Sequence, residues 1–177
     1  MEGEWWFVKT AHEKGRLYEG ERTMTWDATN ATALAKHELE YKTVTDAAIF
    51  VRMQVAGQQD TYLVIWTTTP WTIPFNLAIM VNPEVVYAKV KVVFKGKTQH
   101  WYVAKDLVES LFSQLGEQYV IEEELQGKEL EGISYLHPFA AQQLIYTDLK
   151  EKMPKVHTVL LSSEYVDTSS GSALGHW

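Results

Sequence analysis

The feature that most constrains this chain is an apolar run that ends abruptly in three threonines and a proline. Tyr62–Trp66 are five large apolar residues, a pattern typical of a buried strand. Thr67–Thr69 then offer three adjacent hydroxyls, and Pro70 ends the strand because proline lacks the N–H that a strand ladder needs. Pro74 is suited to the first turn of a helix. The pattern therefore predicts a strand end and a stiff, hydroxyl-bearing turn, with Asn76 shortly beyond it.

This predicted turn has two interpretations. Loops that a scaffold holds at strand ends are common places for binding groups. Threonine is also an ordinary strand residue, and proline an ordinary strand stop. The residues by themselves leave both interpretations open.

The size and charge of the chain exclude several classes of protein. With 177 residues, 46% of them hydrophobic, the sequence predicts one well-packed domain over residues 1–177. The net charge of −7 argues against broad electrostatic binding of a nucleic-acid backbone, although it allows the chain to grip one nucleotide end. There is no cysteine, no apolar run of membrane-spanning length, and no signal peptide at the N-terminus. We expect a cytoplasmic protein with no membrane partner.

Periodicity predicts a strand-rich fold. Ile49–Val55 and Tyr62–Trp66 are expected to form a hairpin, and Tyr87–Phe94 alternates as a half-buried strand does. Asp106–Leu115 is the clearest helix, with Asp106 as its cap and Gly116 as its end. We predict a mixed α/β domain with a curved or barrel-like mixed sheet and peripheral helices. Further predicted elements are a helix over 5–14 and strands over 41–45, 77–81, 100–103, 119–125, 156–161 and 164–167.

The central motif resembles a known signature. Trp66 to Pro74, followed by Asn76-Leu77-Ala78 and Val81-Asn82-Pro83, is similar to the threonine-rich signature of the editing (connective-peptide) domain of isoleucyl-tRNA synthetase, a class I aminoacyl-tRNA synthetase. The related valyl and leucyl enzymes usually carry arginine where Thr69 stands. The resemblance implies the class I editing-domain fold and a fragment of a larger synthetase.

The C-terminal segment matches the same family in part. Its pattern Gly-Thr-Gly-Leu-Val-His is met by Gly171, Leu174 and His176, whereas Ala173 stands where glycine is usual. The family continues into an acidic pair beyond these residues, and its aspartate is thought to hold the substrate's amino group. We therefore expect this chain to hydrolyse its substrate more slowly than a version extended through that pair, unless Asp167 replaces it.

A second departure concerns zinc. The family often has a Cys-x-x-Cys knuckle where this chain has Asp27 and Asn30, and neither residue replaces a thiolate well as a zinc ligand. An Asx-type turn is the plain interpretation of that segment. We predict no metal site.

The resemblance implies a reaction and a set of residues. The reaction is hydrolytic proofreading of mischarged valyl-tRNA(Ile), with valyl-adenylate as a further substrate, and the partners are the tRNA acceptor end and the parent synthetase domains. No cofactor is expected for editing, since ATP and Mg²⁺ belong to a parent's synthesis domain. The expected catalytic residues are Thr67, Thr68, Thr69 and His176, and the expected substrate-binding residues are Trp66, Trp71 and Asn76. Alternation along a strand predicts that Thr67 and Thr69 point together and Thr68 away.

Two other functions stay open. A non-catalytic module that binds an aminoacyl-adenosine or a tRNA end would keep the fold without the full site. A plain β-rich scaffold would use the threonines only as strand residues, and the length of the motif makes it the weakest alternative. Deacylation of mischarged tRNA separates hydrolysis from binding, and binding of a non-hydrolysable aminoacyl-adenosine separates binding from a scaffold.

Overall fold

A computed structural model describes residues 1–169 and 171–177 of the chain. These residues form two compact units, Met1–Thr45 and Asp46–Trp177. The expectation of a single domain over 1–177 stays a prediction. In chain order the helices and strands are α1 (Glu2–Glu13), β1 (Trp26–Asp27), β2 (Thr32–Ala33), β3 (Ile49–Gln54), β4 (Thr61–Thr67), β5 (Ala78–Val81), β6 (Val86–Phe94), β7 (Lys97–Ala104), α2 (Val108–Leu115), β8 (Tyr119–Gln126), α3 (Ile145–Lys152), β9 (Thr158–Leu161) and β10 (Leu174–His176).

The first unit is built from α1 and a short two-stranded hairpin of β1 and β2. The predicted helix is confirmed, and no residue of α1 is buried. The predicted turn at Asp27 is confirmed, because the Thr29 N–H donates to Asp27 Oδ1 over 2.9 Å. Hydrogen bonds from Asn30 and Thr29 hold the pKa of Asp27 below its ordinary value. The strand predicted over 41–45 is wrong, since that segment has no regular secondary structure.

The second unit contains a five-stranded mixed sheet with the strand order β3-β4-β7-β6-β8. The predicted hairpin is confirmed by antiparallel pairing of β3 with β4. β4 and β7 run parallel, and the remaining neighbours are antiparallel. A smaller sheet has the order β10-β5-β9, with β10 antiparallel and β9 parallel to β5.

Strand β4 lies between two hydrophobic clusters. Leu63 and Ile65 belong to a cluster that also contains Ile79 of β5 and Leu174 of β10. Val64 faces the other cluster, which includes α2. A strand buried on both faces needs a continuous apolar run, which explains the sequence that precedes the threonines.

Two details of the predicted elements are corrected. Helix α2 begins at Val108 after a 3₁₀ turn over Lys105–Leu107, and no side-chain hydrogen bond from the described residues caps it, so the capping role predicted for Asp106 is wrong. Its predicted end is confirmed, because Gly116 adopts a left-handed φ of 68°. The strand predicted over 164–167 is wrong, because residues 164 and 165 form a bend and 166 and 167 have no regular secondary structure.

The predicted fold class is confirmed as mixed α/β and strand-rich. Within the described ranges, however, the five-stranded sheet does not close into a barrel: its edges are β3 and β8. The β8 edge carries the exposed run Glu122–Glu124, and charged side chains discourage pairing with another strand. No helix of the described chain is both long and apolar enough to cross a bilayer.

Candidate functional site

The threonine motif lies where β4 passes into a short 3₁₀ helix. Thr67 is the last residue of β4, and the 3₁₀ helix spans Pro70–Phe75. Pro70 begins this helix, where the missing N–H of proline costs nothing. The predicted strand end and stiff turn are therefore confirmed.

Three hydroxyls and one imidazole form a hydrogen-bonded group, which we call the hydroxyl cluster: Thr67, Thr69, Thr72 and His176. Thr67 Oγ1 lies 3.2 Å from Thr69 Oγ1, and Thr69 Oγ1 lies 3.3 Å from Thr72 Oγ1. His176 Nε2 lies 3.2 Å from Thr67 Oγ1 and 3.3 Å from Thr72 Oγ1. Every member both donates and accepts hydrogen bonds, so the cluster can hold a water molecule or a ribose hydroxyl.

Backbone contacts fix the shape of the cluster. The Thr69 N–H donates to Thr67 Oγ1 over 3.0 Å, and the Thr72 hydroxyl donates to the Thr69 carbonyl over 2.6 Å. Thr67 and Thr69 therefore point to the same side, as alternation predicted. Thr68 is exposed, and the structure does not bring it into the cluster.

His176 reaches the cluster from the other end of the chain. It ends β10, and its partner in the antiparallel pairing is Ile79 of β5. Burial disfavours the imidazolium, so the pKa of His176 lies below its ordinary value. At neutral pH the ring is therefore uncharged and can either donate or accept a hydrogen bond at Nε2.

The Asn76 side chain is buried and hydrogen-bonded within the protein. Its side chain is only 1% exposed. Its Nδ2 donates to the carbonyls of Ala78 and Trp177, and its Oδ1 accepts the Tyr135 hydroxyl. These bonds join the end of the 3₁₀ helix to the end of β10, and the substrate-binding role of Asn76 stays a prediction.

The two tryptophans lie in different surroundings. Trp66 is half-buried, and alternation along β4 places its side chain on the opposite face from Thr67. There it lines a cavity of about 140 Å³ together with Asp167 and residues 172–175. Trp71 lies on the 3₁₀ helix and is 69% exposed. The structure therefore gives the predicted pocket walls two different surroundings.

Sequence reasoning missed Thr72 and Tyr135. Thr72 follows Thr69 by three residues, and this spacing places both on one side of a 3₁₀ helix, so the helix start at Pro70 was the signal that could have revealed it. Tyr135 carried no such signal. Burial raises the pKa of its hydroxyl, which keeps it a neutral donor to Asn76.

His137 is buried within the fold. Its Nδ1 accepts the Phe139 N–H over 3.2 Å, and its Nε2 lies 3.0 Å from the Ile73 carbonyl. The first bond leaves the ring hydrogen on Nε2, so the second is a donation to Ile73. His137 is thus hydrogen-bonded to the 3₁₀ helix through the Ile73 carbonyl.

No three metal-ligating side chains gather anywhere in residues 1–169 or 171–177. The absence of a cofactor and of a metal stays a prediction.

Comparison with known proteins identifies the family. The family model described as tRNA synthetases class I (I, L, M and V) matches residues 1–132. The chain therefore belongs to the class I tRNA synthetase family.

Within that family the chain is similar to isoleucine–tRNA ligases. That of Pyrococcus horikoshii is 39% identical over 178 residues, and that of Methanocaldococcus jannaschii is 41% identical over 183 residues; each alignment covers 99% of this chain. The chain spans 17% of the length of these relatives. The resemblance to isoleucyl-tRNA synthetase predicted from the motif is confirmed.

The fold has a solved counterpart. The crystal structure of GlLeuRS-CP1 matches with a TM-score of 0.54 and 14% identity, and the match covers 73% of this chain and 54% of that chain. At this identity the likeness concerns the fold alone.

Proposed function

We propose that this chain hydrolyses the valyl ester of mischarged tRNA(Ile), as the proofreading part of an isoleucyl-tRNA synthetase. The observation that carries the proposal is the hydroxyl cluster, in which His176 meets the threonines within 3.3 Å. Its partners would be the tRNA acceptor end and the other synthetase domains, and valyl-adenylate would be a second substrate. The chemistry requires no cofactor.

A second, hydrolytic site is needed because binding alone discriminates poorly between isoleucine and valine. A missing methylene changes binding by only about 1–3 kcal/mol, so a synthesis pocket for isoleucine admits valine; isoleucyl-tRNA synthetase is itself the well-known example of this limit. A second site that admits only the smaller product removes the error. The methyl groups of Thr67 and Thr69 would narrow the cluster's opening against the longer side chain of isoleucine.

The proposed step is attack by water on the ester carbonyl. The threonine hydroxyls orient the water, and the uncharged His176 Nε2, in the tautomer that leaves it without a hydrogen, accepts a proton from it as the new C–O bond forms. The bond from the carbonyl carbon to the ribose oxygen then breaks, and the ribose oxygen takes up the proton. Free valine and uncharged tRNA are the products.

The proposal predicts that single losses from the cluster slow hydrolysis strongly. Removing one preorganised hydrogen-bonding group from such a site typically costs about 10²–10³ in rate. We expect Thr69→Ala and His176→Ala to lower the single-turnover rate on Val-tRNA(Ile) by about that factor. Thr98→Ala is a matched control, because Thr98 is an exposed threonine on β7.

The measurement is a deacylation time course on Val-tRNA(Ile) and Ile-tRNA(Ile) for each protein. Thr69→Ala should also raise hydrolysis of the isoleucyl ester relative to the valyl ester, since a blocking methyl group is gone. Equal rates for Thr69→Ala, His176→Ala and Thr98→Ala would overturn the proposal.

A non-catalytic binding module is the second candidate, and one observation favours it. The described members of the hydroxyl cluster include no carboxylate, and Asp167 lines the separate cavity beside Trp66 with its Oδ1 bonded to Ser169. If the chain binds a non-hydrolysable valyl-adenosine analogue but gives no deacylation above the buffer rate, this second function replaces the first.

A further inference from the structure

Arg52 stands out as an unneutralised charge. It is the only arginine in residues 46–177, and it lies half-buried on β3. The ion pairs formed among the described residues do not include it. A half-buried cation without a carboxylate partner attracts an anion, because its charge is only partly screened by water.

The Arg52 guanidinium is held in one orientation. Its Nη1 donates to Gln99 Oε1 over 2.6 Å, and the same oxygen accepts the Trp101 indole N–H over 2.9 Å. Gln99 is only 6% exposed, so the anchor itself lies inside the protein. The guanidinium carbon lies 4.7 Å from the ring centre of Phe94 and 5.2 Å from that of Tyr62. These rings stabilise the cation but do not neutralise it.

Arg52 forms one wall of an open cavity of about 280 Å³. Gln54 and Tyr62 line the same cavity from β3 and β4, and residues 136–138, 140 and 141 close its other side. Among the residues that the structure describes, no carboxylate lines it. The cavity therefore combines one fixed cation with an amide and a phenol, both able to donate hydrogen bonds.

We propose that this cavity binds a backbone phosphate of the tRNA strand. Guanidinium is planar and pairs with phosphate through two parallel hydrogen bonds, which suits an arginine held in a fixed plane. With a net charge of −7 the chain cannot attract RNA over its whole surface. A single oriented cation therefore contributes a larger share of the binding free energy than it would on a basic protein. The inference rests on the proposed function, because tRNA is the ligand.

The position of Arg52 places the bound phosphate away from the reacting end. Arg52 is paired with Val64, whose side chain faces the cluster containing α2, whereas alternation turns Thr67 to the other face of β4. The phosphate site and the hydroxyl cluster thus lie on opposite faces of the hairpin. Loss of Arg52 should therefore weaken tRNA binding without changing the rate at which the bound ester is hydrolysed.

The experiment measures binding of uncharged tRNA(Ile) to the full chain over about 50–200 mM salt, the range in which phosphate contacts make affinity fall steeply. We expect Arg52→Gln to weaken binding about tenfold, as the loss of one charge-assisted contact does. The slope of log K against log salt should fall in magnitude by about 0.7–0.9, the values for one phosphate in a single strand and in a duplex. Arg52→Lys should keep the slope and bind with intermediate affinity.

Lys97→Gln is the matched control, because it removes one charge from an exposed position of the same sheet. If Arg52→Gln and Lys97→Gln have the same affinity and slope, the inference is overturned. Thermal unfolding of each variant checks that it folds. If Arg52→Gln does not fold, Arg52→Lys tests the phosphate site instead. An unchanged tRNA affinity for Arg52→Lys would contradict bidentate pairing.

Two further readouts separate this inference from the proposed function. In deacylation, Arg52→Gln should raise KM and leave kcat unchanged, whereas losses from the hydroxyl cluster lower kcat. If the unaltered chain binds no tRNA, both proposals fail. If Arg52→Gln binds tRNA(Ile) and hydrolyses the valyl ester as the unaltered chain does, only the proposal of a phosphate site at Arg52 fails.

Discussion

Gly171 is packed directly against the indole of Trp66. A Cβ at this position would lie 2.7 Å from Trp66 Cγ, and the backbone has a φ of +75°. Both the space and the conformation therefore require glycine. Gly171 thus packs against Trp66, which forms part of the wall of the cavity that Asp167 also lines.

At the residue scale we predict that Gly171→Ala destabilises the protein more than Gly57→Ala does. Gly57 has the same φ of +75°, but a Cβ there would have nothing within 4 Å, so this position reports the conformational cost alone, about 1 kcal/mol. Gly171→Ala adds the overpacking of Trp66, typically about 1–3 kcal/mol more. Urea unfolding of both variants tests this, and equal losses of stability would contradict the packing argument.

At the element scale, the 3₁₀ helix Pro70–Phe75 and strand β10 are joined through Asn76. The Asn76 amide bonds the carbonyl of Trp177, the residue after β10, and the Leu77 N–H donates to the same carbonyl over 2.6 Å. Tyr135 holds the amide in this orientation. Because Thr72 lies on the helix and His176 on the strand, this junction sets the distance between them.

We predict that Tyr135→Phe lowers stability by about 1–3 kcal/mol, because it leaves the buried Asn76 Oδ1 without a donor. Tyr146→Phe removes a hydroxyl that donates to the Pro74 carbonyl in an exposed setting. Its loss of unfolding free energy should therefore be smaller. The free energy of unfolding in urea measures both. A loss for Tyr135→Phe no larger than that for Tyr146→Phe would exclude the junction as a stabilising element.

At the scale of the whole molecule, a buried pair of histidines links stability to pH. His137 and His157 are each 2% exposed, with ring centres 5.2 Å apart, and Tyr146 stacks on His137. Burial, together with repulsion from His137, lowers the pKa of His157 to about 4, and Lys150 adds to the same effect. Burial therefore favours the neutral form of both rings in the folded protein.

We predict that stability is lost as pH falls from about 6.5 to about 4. The pKa of His157 is depressed in the folded state, so below about 6.5 the unfolded chain binds more protons and is favoured. The shift corresponds to a loss on the order of 3 kcal/mol by pH 4, and above pH 6.5 this contribution is constant. Urea midpoints between pH 4 and 8 measure it.

His157→Asn is the matched variant for this pH effect, because His157 has a φ of 55° and asparagine tolerates that conformation. The variant should show a shallower dependence on pH over the same range, whatever its absolute stability. A pH profile as steep as that of the unaltered chain would assign the effect to other groups.

Features that depend on neighbours within a few residues can be predicted from the sequence. The strand end before Pro70, the Asx turn at Asp27 and the glycine end of α2 all follow from local sterics and local hydrogen bonds. Alternation along β4 likewise separated Thr67 and Thr69 from Thr68. The threonine motif likewise indicates the family to which the chain belongs.

Which polar groups meet, and which are buried, depends on long-range packing. Thr72 and His176 are 104 residues apart in sequence, and they come together because β10 pairs with β5. The same packing encloses Asn76, which the motif alone placed in the site, and leaves Arg52 on the wall of a cavity whose described lining has no carboxylate. Side-chain type and spacing do not predict such long-range contacts, because these contacts form when separate apolar faces are buried against one another.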